Sequence, residues 1–367
     1  MAFKHPGLAE PRTKEEWRGY LANVAPKPPE MPTYESYKAM NEDDREDFND
    51  ARDAYHSALP LISTPQLQEV HAILHKRIKV NSRQAAGARR GIVLDGPPTV
   101  GKSTTVKLFA ADFEHRLRRR HPDRFAPGYI KDGLSVDYTP VVYLNIPSQA
   151  TPKDLSMILA DYMGMLYHPR WSKNMITGQV LTAMSESGVE LVIIDDVHFL
   201  DLSAREGKVV NDHLKYLANH VAATFVYTGA DLKTSGLFLE GTASGRATQT
   251  SGRNSHHQIT NFPFKTTDDK TEWARTVLGM ESNLRLFRHQ VGALARLAPY
   301  LHDRTSGSIG ALSQLIRESA ITAVIGGQEE ITRSIMDETP LGHHFEAAYA
   351  AKGQSRKPGA SSRRAAS

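Results

Sequence analysis

The sequence predicts an α/β protein with a five-stranded parallel sheet, followed by a small all-helical domain. Short apolar runs that suit buried strands alternate with segments of helical periodicity as far as residue 264. From residue 268 the pattern is helical only, and no strand signal returns. We therefore expect an N-terminal helical extension at 1–62, an α/β domain at 63–267, a helical domain at 268–345 and a disordered basic tail at 346–367.

The composition excludes several classes of protein. The 367 residues contain no cysteine, which excludes disulfides and thiolate metal sites and fits a reducing cytosol. No apolar run reaches the length of a membrane span, and the N-terminus lacks the apolar core of a secretory signal, so we expect a cytoplasmic protein with no membrane partner. The net charge of +4 comes from the tail, since residues 352–367 carry five basic and no acidic side chains. This charge therefore does not by itself indicate that the folded body binds nucleic acid.

The first segment of the chain is polar and rich in proline. Helices are predicted at Lys14–Leu21 and Asp43–Leu59, and no chemical motif is visible. We interpret this segment as an extension that packs on the body or on a neighbouring subunit, with a docking segment for a partner protein as the alternative. Ser63-Thr64-Pro65 then marks the start of a helix at Gln66–Lys79.

A glycine-rich loop follows the first strand, Gly91–Asp95, and fits the Walker A pattern G-x-x-x-x-G-K-S. Such a loop turns its N–H groups toward one point, and the helix that begins at Lys102 adds its dipole there. Lys102 can reach the phosphates of ATP, and Ser103 offers a hydroxyl to Mg²⁺. The alternative is an ordinary Gly/Pro turn. The candidate nucleotide-binding residues are Gly96, Pro97, Pro98, Thr99, Val100, Gly101, Lys102, Ser103 and Thr104.

The end of that helix is strongly basic, with H-R-L-R-R-R-H-P-D-R at residues 115–124. A solvated helix end is the simplest interpretation, and phosphate contact along DNA is the functional one. A second strand is predicted at Pro140–Pro147, and helices are predicted at Thr151–Gly164 and Lys173–Ser187.

An acidic pair ends the third predicted strand, in E-L-V-I-I-D-D-V-H-F-L at residues 190–200. This is the Walker B arrangement, in which Asp195 would hold Mg²⁺ through water and Asp196 would orient and deprotonate the attacking water. A plain strand exit is the alternative. In the next helix, His213 and His220 are expected on the surface rather than as metal ligands.

A fourth strand at Ala223–Thr228 ends in the polar Thr228, which would face the γ-phosphate of ATP if this strand lies between the two Walker strands. A fifth strand is predicted at Gln258–Phe264. The helices expected after it are Asp269–Leu278, Leu284–His289, Leu294–Arg304, Ile309–Val324 and Ile331–Glu338.

The order of these features resembles that of an AAA+ ATPase with a P-loop, and more specifically the TniB family of transposition regulators, relatives of TnsC, MuB and IstB. The likeness covers about residues 10–340. The segments that carry it are I-S-T-P-Q-L at 62–67, G-P-P-T-V-G-K-S-T, I-I-D-D-V-H, A-T-F-V-Y-T-G, S-G-R at 251–253 and R-T-S-G-S-I-G-A-L-S-Q-L-I-R in the helical domain, which would be the lid.

The resemblance implies ATP and Mg²⁺ as cofactors and slow ATP hydrolysis that depends on oligomer formation. It implies that Thr228 takes the sensor 1 position. It also implies that Arg253, or failing that Arg246, is the arginine finger supplied to a neighbour's ATP. The partners it implies are further copies of the chain in a ring or filament, double-stranded DNA, and a transposase or integrase that is recruited or activated.

The chain departs from the family pattern at three places. Asp196 stands where Glu is usual, and its carboxylate would fall about 1 Å short of the water, a misplacement that can cost ~100-fold in rate. The start of the lid helix, Gly307–Leu312, has no sensor 2 arginine, so that either Arg304 or Arg317 substitutes or the contact is absent. Asn254 follows the S-G-R in place of an aromatic residue.

Two other classes of function stay open. One is a signalling or defence NTPase that acts as a protein-interaction switch without DNA. The other is a stand-alone P-loop enzyme such as a kinase, which fits less well because the helical domain follows the fifth strand and no acceptor-substrate motif is apparent.

Overall fold

The computed structural model describes residues 10–23, 26–147, 150–197, 205–232 and 254–355. The described residues form two compact units. One contains residues 10–23 and 63–260, and the other contains residues 26–62 and 261–355. The α-helices are α1 (Lys14–Ala22), α2 (Tyr34–Lys38), α3 (Glu42–Ser57), α4 (Pro65–Asn81), α5 (Lys102–Arg120), α6 (Pro152–Tyr162), α7 (Lys173–Glu186), α8 (Arg205–His220), α9 (Thr267–Glu281), α10 (Ala293–Arg296), α11 (Ala298–Thr305), α12 (Ile309–Ile325), α13 (Arg333–Glu338) and α14 (His343–Ser355). In the described part of the chain, none of them is both long enough and apolar enough to cross a bilayer.

The first unit is built on a five-stranded parallel sheet, as the sequence predicts. The strands are β1 (Gly91–Asp95), β2 (Ile130–Lys131), β3 (Leu134–Ser135), β4 (Val141–Asn145), β5 (Leu191–Asp195), β6 (Thr224–Gly229) and β7 (Asn254–Gln258). The sheet order is β4-β5-β6-β1-β7, while β2 and β3 form a separate antiparallel hairpin. Strand β6 therefore lies between the two Walker strands β1 and β5, and the carboxyl ends of all three meet at one edge, where open α/β sheets bind ligands.

The edge strand β7 lies before the stretch in which the sequence places it. The predicted strand at Gln258–Phe264 is wrong, since the strand ends where that prediction begins. Strand β7 reads N-S-H-H-Q and is only partly buried, so it lacks the apolar run by which the central strands are recognised. The apolar signal comes from Ile259 and Phe262, which are buried beyond the strand end.

Helix α1 packs within the first unit. The indole of Trp17 is 1 % exposed and stacks on the Tyr143 ring of β4, with 6.0 Å between ring centroids. Its Nε1 donates a hydrogen bond to the Glu114 carboxylate of α5 at 2.8 Å. Residues 10–23 thus belong to the body of this unit.

The second unit combines α2 and α3 with the C-terminal helices. Arg52 of α3 is fully buried and donates to both carboxylate oxygens of Glu329, at 2.8 and 3.0 Å. The rings of Tyr37, Phe48 and Phe287 lie 5.1–5.2 Å from the guanidinium carbon. This ion pair joins the N-terminal helices to the helical core.

The helical unit differs from the sequence expectation at two places. The predicted helix at Leu284–His289 is wrong, because backbone N–H groups there have other partners: that of Arg285 donates to His56 and that of Phe287 to Glu329. The helix predicted at Leu294–Arg304 is two helices, α10 and α11, and a proline lies in the first turn of the second.

The chain is also helical beyond residue 346, where we expect the disordered tail to begin. Helix α14 continues to Ser355. Phe345 at its start is buried, and the Glu346 carboxylate accepts hydrogen bonds from Arg304 and from the backbone N–H of Leu341. These contacts hold a segment whose composition alone indicates disorder. Residues 356–367 lie outside the described residues.

Candidate nucleotide-binding site

The Walker A residues form a loop between β1 and α5 in which two glycines have distinct steric roles. Gly101 adopts φ +88° and precedes α5 without a side-chain cap, which leaves the first N–H groups of the helix facing the loop. Gly96 lies so close to the segment after β7 that a Cβ there would come well within 3.0 Å of the Ile259 carbonyl oxygen. The loop is thus shaped for an anion at the helix N-terminus.

The Lys102 side chain lies inside this loop. It is 7 % exposed, and its Nζ donates to the carbonyl oxygens of Gly96 and Pro97 at 2.7 Å each. Burial lowers the pKa of Lys102, while the nearby carboxylates of Asp195 and Asp196 raise it. A buried ammonium whose hydrogen-bond acceptors among the described residues are two neutral carbonyls is a site at which phosphate oxygens would be stronger partners.

The Asp195 carboxylate at the end of β5 is buried, with 1 % exposure, and is held by hydroxyl groups. The Tyr143 hydroxyl donates to Oδ2 at 2.6 Å, and the Thr228 hydroxyl donates to Oδ1. Ser103 also hydrogen-bonds to this carboxylate. Burial raises the pKa of Asp195, and the hydrogen bonds from Tyr143 and Ser103 oppose that shift.

The two predicted Mg²⁺ ligands, Ser103 and Asp195, are therefore together. Carboxylate and hydroxyl oxygens are the hard donors that Mg²⁺ prefers, and it is normally held by one or two such groups with phosphates and water. Among the described residues, no group of three or more His, Asp or Glu side chains could hold a metal elsewhere. The donor set fits Mg²⁺ bound together with a nucleotide.

Thr228 lies near the carboxyl end of β6, beside the Walker B aspartate. Strand β6 lies between β1 and β5, so the condition that the sequence argument sets for Thr228 is met. The side chain is fully buried and its hydroxyl bonds to Asp195.

Asp196 adopts a strained backbone conformation, with φ +58°. Its N–H donates to Asp195 Oδ1 at 3.1 Å, and its Oδ2 accepts from Asn145 Nδ2 at 3.3 Å. Thr99 in the Walker A loop also has positive φ, at +63°. Non-glycine residues in this region often mark functional sites.

Sequence reasoning missed two residues of this site, Tyr143 and Asn145. Both lie on β4, in the register pairs Tyr143↔Ile193 and Asn145↔Asp195. Tyr143 was hidden because a tyrosine within V-V-Y-L reads as one more apolar residue. The available signal for Asn145 was its position as a polar residue at the end of the strand beside β5.

The predicted arginine fingers, Arg246 and Arg253, lie outside the described residues. The candidates for sensor 2 have partners within the helical unit. Arg304 is 2 % exposed and bonds to Glu346 and to the carbonyls of Met336 and Thr339. Arg317 donates to the Ser57 carbonyl oxygen.

The expectation that His213 lies on the surface is wrong. Its side chain is 6 % exposed and its Nε2 is 2.8 Å from the Ser156 hydroxyl, and burial lowers the pKa of His213 to about 4. His213 lies on the buried face of α8, next to the buried Leu214. His220 is exposed, as expected.

Solved structures with the same fold include ORC and Cdc6 proteins. An ORC1 protein of Aeropyrum pernix in complex with DNA matches with TM-score 0.52 and 15 % identity, over 82 % of this chain and 68 % of that one. An ORC2 protein of the same organism, in ADPNP–ADP complexes, matches with TM-score 0.54 and 11 % identity over 77 % and 69 %. Cdc6p of Pyrobaculum aerophilum gives 0.51 and 14 % over 77 % and 69 %. These similarities show the fold, that of an AAA+ ATPase with a P-loop.

A comparison with curated proteins finds no match. The family model described as "Bacterial TniB protein" matches residues 52–239. That match spans just over half of the chain and contains both Walker motifs, Tyr143 and Thr228. The chain therefore belongs to the TniB family of AAA+ nucleotide-binding proteins.

Proposed function

We propose that this protein is an ATP-hydrolysing regulator of DNA transposition, which assembles on double-stranded DNA as a ring or filament and recruits or activates a transposase. The observation that carries the ATPase part is the buried Asp195 carboxylate, held by hydroxyls beside a Walker A loop whose lysine donates to two carbonyls of its own loop. Membership of the TniB family supports the role in transposition. The similar ORC1 protein was solved in complex with DNA, which supports a DNA partner.

In this proposal the loop residues 96–104 surround the phosphates of ATP. Lys102 exchanges its bonds to Gly96 and Pro97 for bonds to the β- and γ-phosphates. Ser103 would hold Mg²⁺ with its hydroxyl, and Asp195 would hold it through water. When bound, the ion would neutralise charge that develops on the phosphates.

The remaining roles belong to groups around the γ-phosphate. Asp196 orients the attacking water and accepts its proton. Thr228 senses the γ-phosphate from β6. Arg253, with Arg246 as second choice, completes the site of a neighbouring subunit, so that hydrolysis depends on assembly. We retain 63–267 as the ATPase domain and 268–345 as its lid, and we propose a cytoplasmic location.

Retention of duplex DNA on a filter tests the DNA part of the proposal. We expect strong retention with ATP and weak retention with ADP or without nucleotide. Equal and negligible retention in all three conditions would overturn it, and would favour a protein-interaction switch that acts without DNA.

The Arg253→Ala variant tests the finger. ATP binding should persist, because the residue acts on a neighbour's nucleotide, while turnover at assembly concentrations should fall. Normal turnover in this variant would place the finger elsewhere, and Arg246→Ala would be the next variant to measure.

A further inference from the structure

Both oxygens of the Asp195 carboxylate are held by hydroxyls from the two strands that flank β5. Thr228 on β6 donates to Oδ1, and Tyr143 on β4 donates to Oδ2 at 2.6 Å. Thr228 is at a position where AAA+ proteins are expected to carry a polar side chain. No polar side chain is expected at the position of Tyr143, in the middle of an apolar strand. Its ring packs as an apolar group, and its hydroxyl reaches the site.

The Tyr143 ring is in turn held by the N-terminal segment. The side chain is fully buried, and the Trp17 indole lies nearly parallel to it, at an interplanar angle of 13°. The Lys107 ammonium lies 5.6 Å from the ring centroid and forms an ion pair with Glu10 at 2.5 Å. Trp17 of α1 thus contacts the ring directly, and Glu10 before α1 is linked to it through Lys107.

Trp17 is also tied to α5, the helix that begins with Lys102 and Ser103. Its indole N–H donates to Glu114, whose carboxylate also bonds to Arg118. Glu114 is 2 % exposed. A continuous set of contacts therefore runs from α5 through Trp17 and Tyr143 to Asp195.

We propose that Tyr143 is a positioning residue that orients the Asp195 carboxylate for the nucleotide-bound cation, and that Trp17 of α1 holds Tyr143 in place. This inference rests on the proposed function, because it assumes that Asp195 takes part in binding Mg²⁺ with ATP. It assigns the N-terminal helix a role in the metal site. Residues that orient a metal ligand typically contribute 10–100-fold to metal affinity.

Tyr143→Phe removes only the hydroxyl and keeps the ring that stacks on Trp17. The readout is the affinity for Mn²⁺, used in place of Mg²⁺, in the presence of saturating ADP, followed by electron paramagnetic resonance. We expect Mn²⁺ affinity to fall about 10-fold or more. The affinity for ADP without metal should stay within about twofold, because Lys102 and the loop are unchanged.

The matched control is Tyr162→Phe. Tyr162 is also a fully buried tyrosine of this unit, and its hydroxyl donates to the Val141 carbonyl oxygen at 3.1 Å, away from Asp195. A purely structural role predicts equal effects of the two substitutions. Unchanged Mn²⁺ affinity in Tyr143→Phe, or an equal loss in Tyr162→Phe, would overturn the inference. If the wild-type protein itself binds no Mn²⁺ with ADP, the proposed nucleotide site fails instead.

Trp17 is tested by a pair of variants. Trp17→Ala removes the stack and should weaken Mn²⁺ binding in the same direction as Tyr143→Phe. Trp17→Phe keeps a ring against Tyr143, loses only the bond to Glu114, and should stay near wild type. Circular dichroism of each variant establishes that it is folded; if Trp17→Ala is not, Trp17→Leu replaces it. If a folded variant that lacks the ring stack binds Mn²⁺ with wild-type affinity, α1 has no role in the metal site.

Discussion

Replacing Gly96 with alanine should disable the nucleotide site through a single methyl group. The added Cβ would come well inside 3.0 Å of the Ile259 carbonyl oxygen, a separation that real Cβ atoms essentially never show. The neighbour is backbone rather than a flexible side chain, and the Ile259 N–H is bonded to the Asp95 carbonyl oxygen at 2.7 Å, so neither partner can yield freely. The Walker A loop must therefore move by on the order of 1 Å, and displacements of that size can cost ~100-fold in a positioned site.

The assay is equilibrium binding of a fluorescent ATP analogue to the wild type and to Gly96→Ala. We expect the Kd to rise about 100-fold, which corresponds to about 2.7 kcal/mol. Gly178→Ala in α7 is the matched control, because a Cβ there meets nothing within 4 Å. The control should bind normally and be slightly more stable, by about 0.5–1 kcal/mol. A Kd for Gly96→Ala within threefold of wild type would show that the contact does not fix the loop.

Three further predictions follow from buried charged or titratable groups. Lys102→Ala should abolish ATP binding in the same assay, because it removes the buried ammonium beside the loop. Arg52→Ala should lower the free energy of unfolding of the helical unit by about 3–5 kcal/mol in urea, because it leaves the fully buried Glu329 carboxylate unpaired. Stability should fall as the pH drops from 6.5 toward 4, because burial lowers the pKa of His213 to about 4 in the folded state, so the unfolded state binds the proton first. The slope from His213 alone approaches about 1.4 kcal/mol per pH unit within that window.

Each of these predictions has a control and a contradicting result. If Lys102→Ala binds ATP with wild-type affinity, the lysine is not part of the nucleotide site. For the ion pair, the double variant Arg52→Met with Glu329→Gln removes both charges and keeps an acceptor for the Phe287 N–H, so it should recover part of the loss. No recovery would mean that the unpaired charge is not the cause. For the histidine, His213→Asn should make the slope between pH 6.5 and 4 shallower by the contribution of His213, while His56 and His75, whose pKa values burial also lowers to about 4, keep theirs. An unchanged slope in that variant would assign the effect to other groups.

The central strands and the two Walker motifs could be predicted because their signals are local. One apolar run buried on both faces ends in Asp95, directly before the Walker A loop. Another ends in Asp195, the first residue of the Walker B acidic pair. The edge strand β7 could not be placed, since its residues are polar and only partly buried and its pairing with β1 depends on a distant part of the chain.

The contact between Tyr143 and Asp195 likewise could not be predicted from the sequence. It joins residues 52 positions apart in sequence, which are brought together because β4 and β5 pair side by side in the sheet. The same limit applies to the helical unit. The Leu284–His289 segment has helical periodicity, but its backbone bonds go to His56 and Glu329, which lie far away in sequence. Tertiary contacts override local propensity at both places.

The buried Asp195 carboxylate also bears on how long the protein survives in a cell. Burial works against its ionised form, and its identified hydrogen-bond donors in the folded state are all neutral: the hydroxyls of Tyr143, Thr228 and Ser103 and the backbone N–H of Asp196. A cation–nucleotide complex that binds only the folded state would add about 2.7 kcal/mol of stability at 100 times its Kd. Protease resistance should therefore track the supply of ATP, so that copies without nucleotide are degraded first and abundance reports the energy state of the cell.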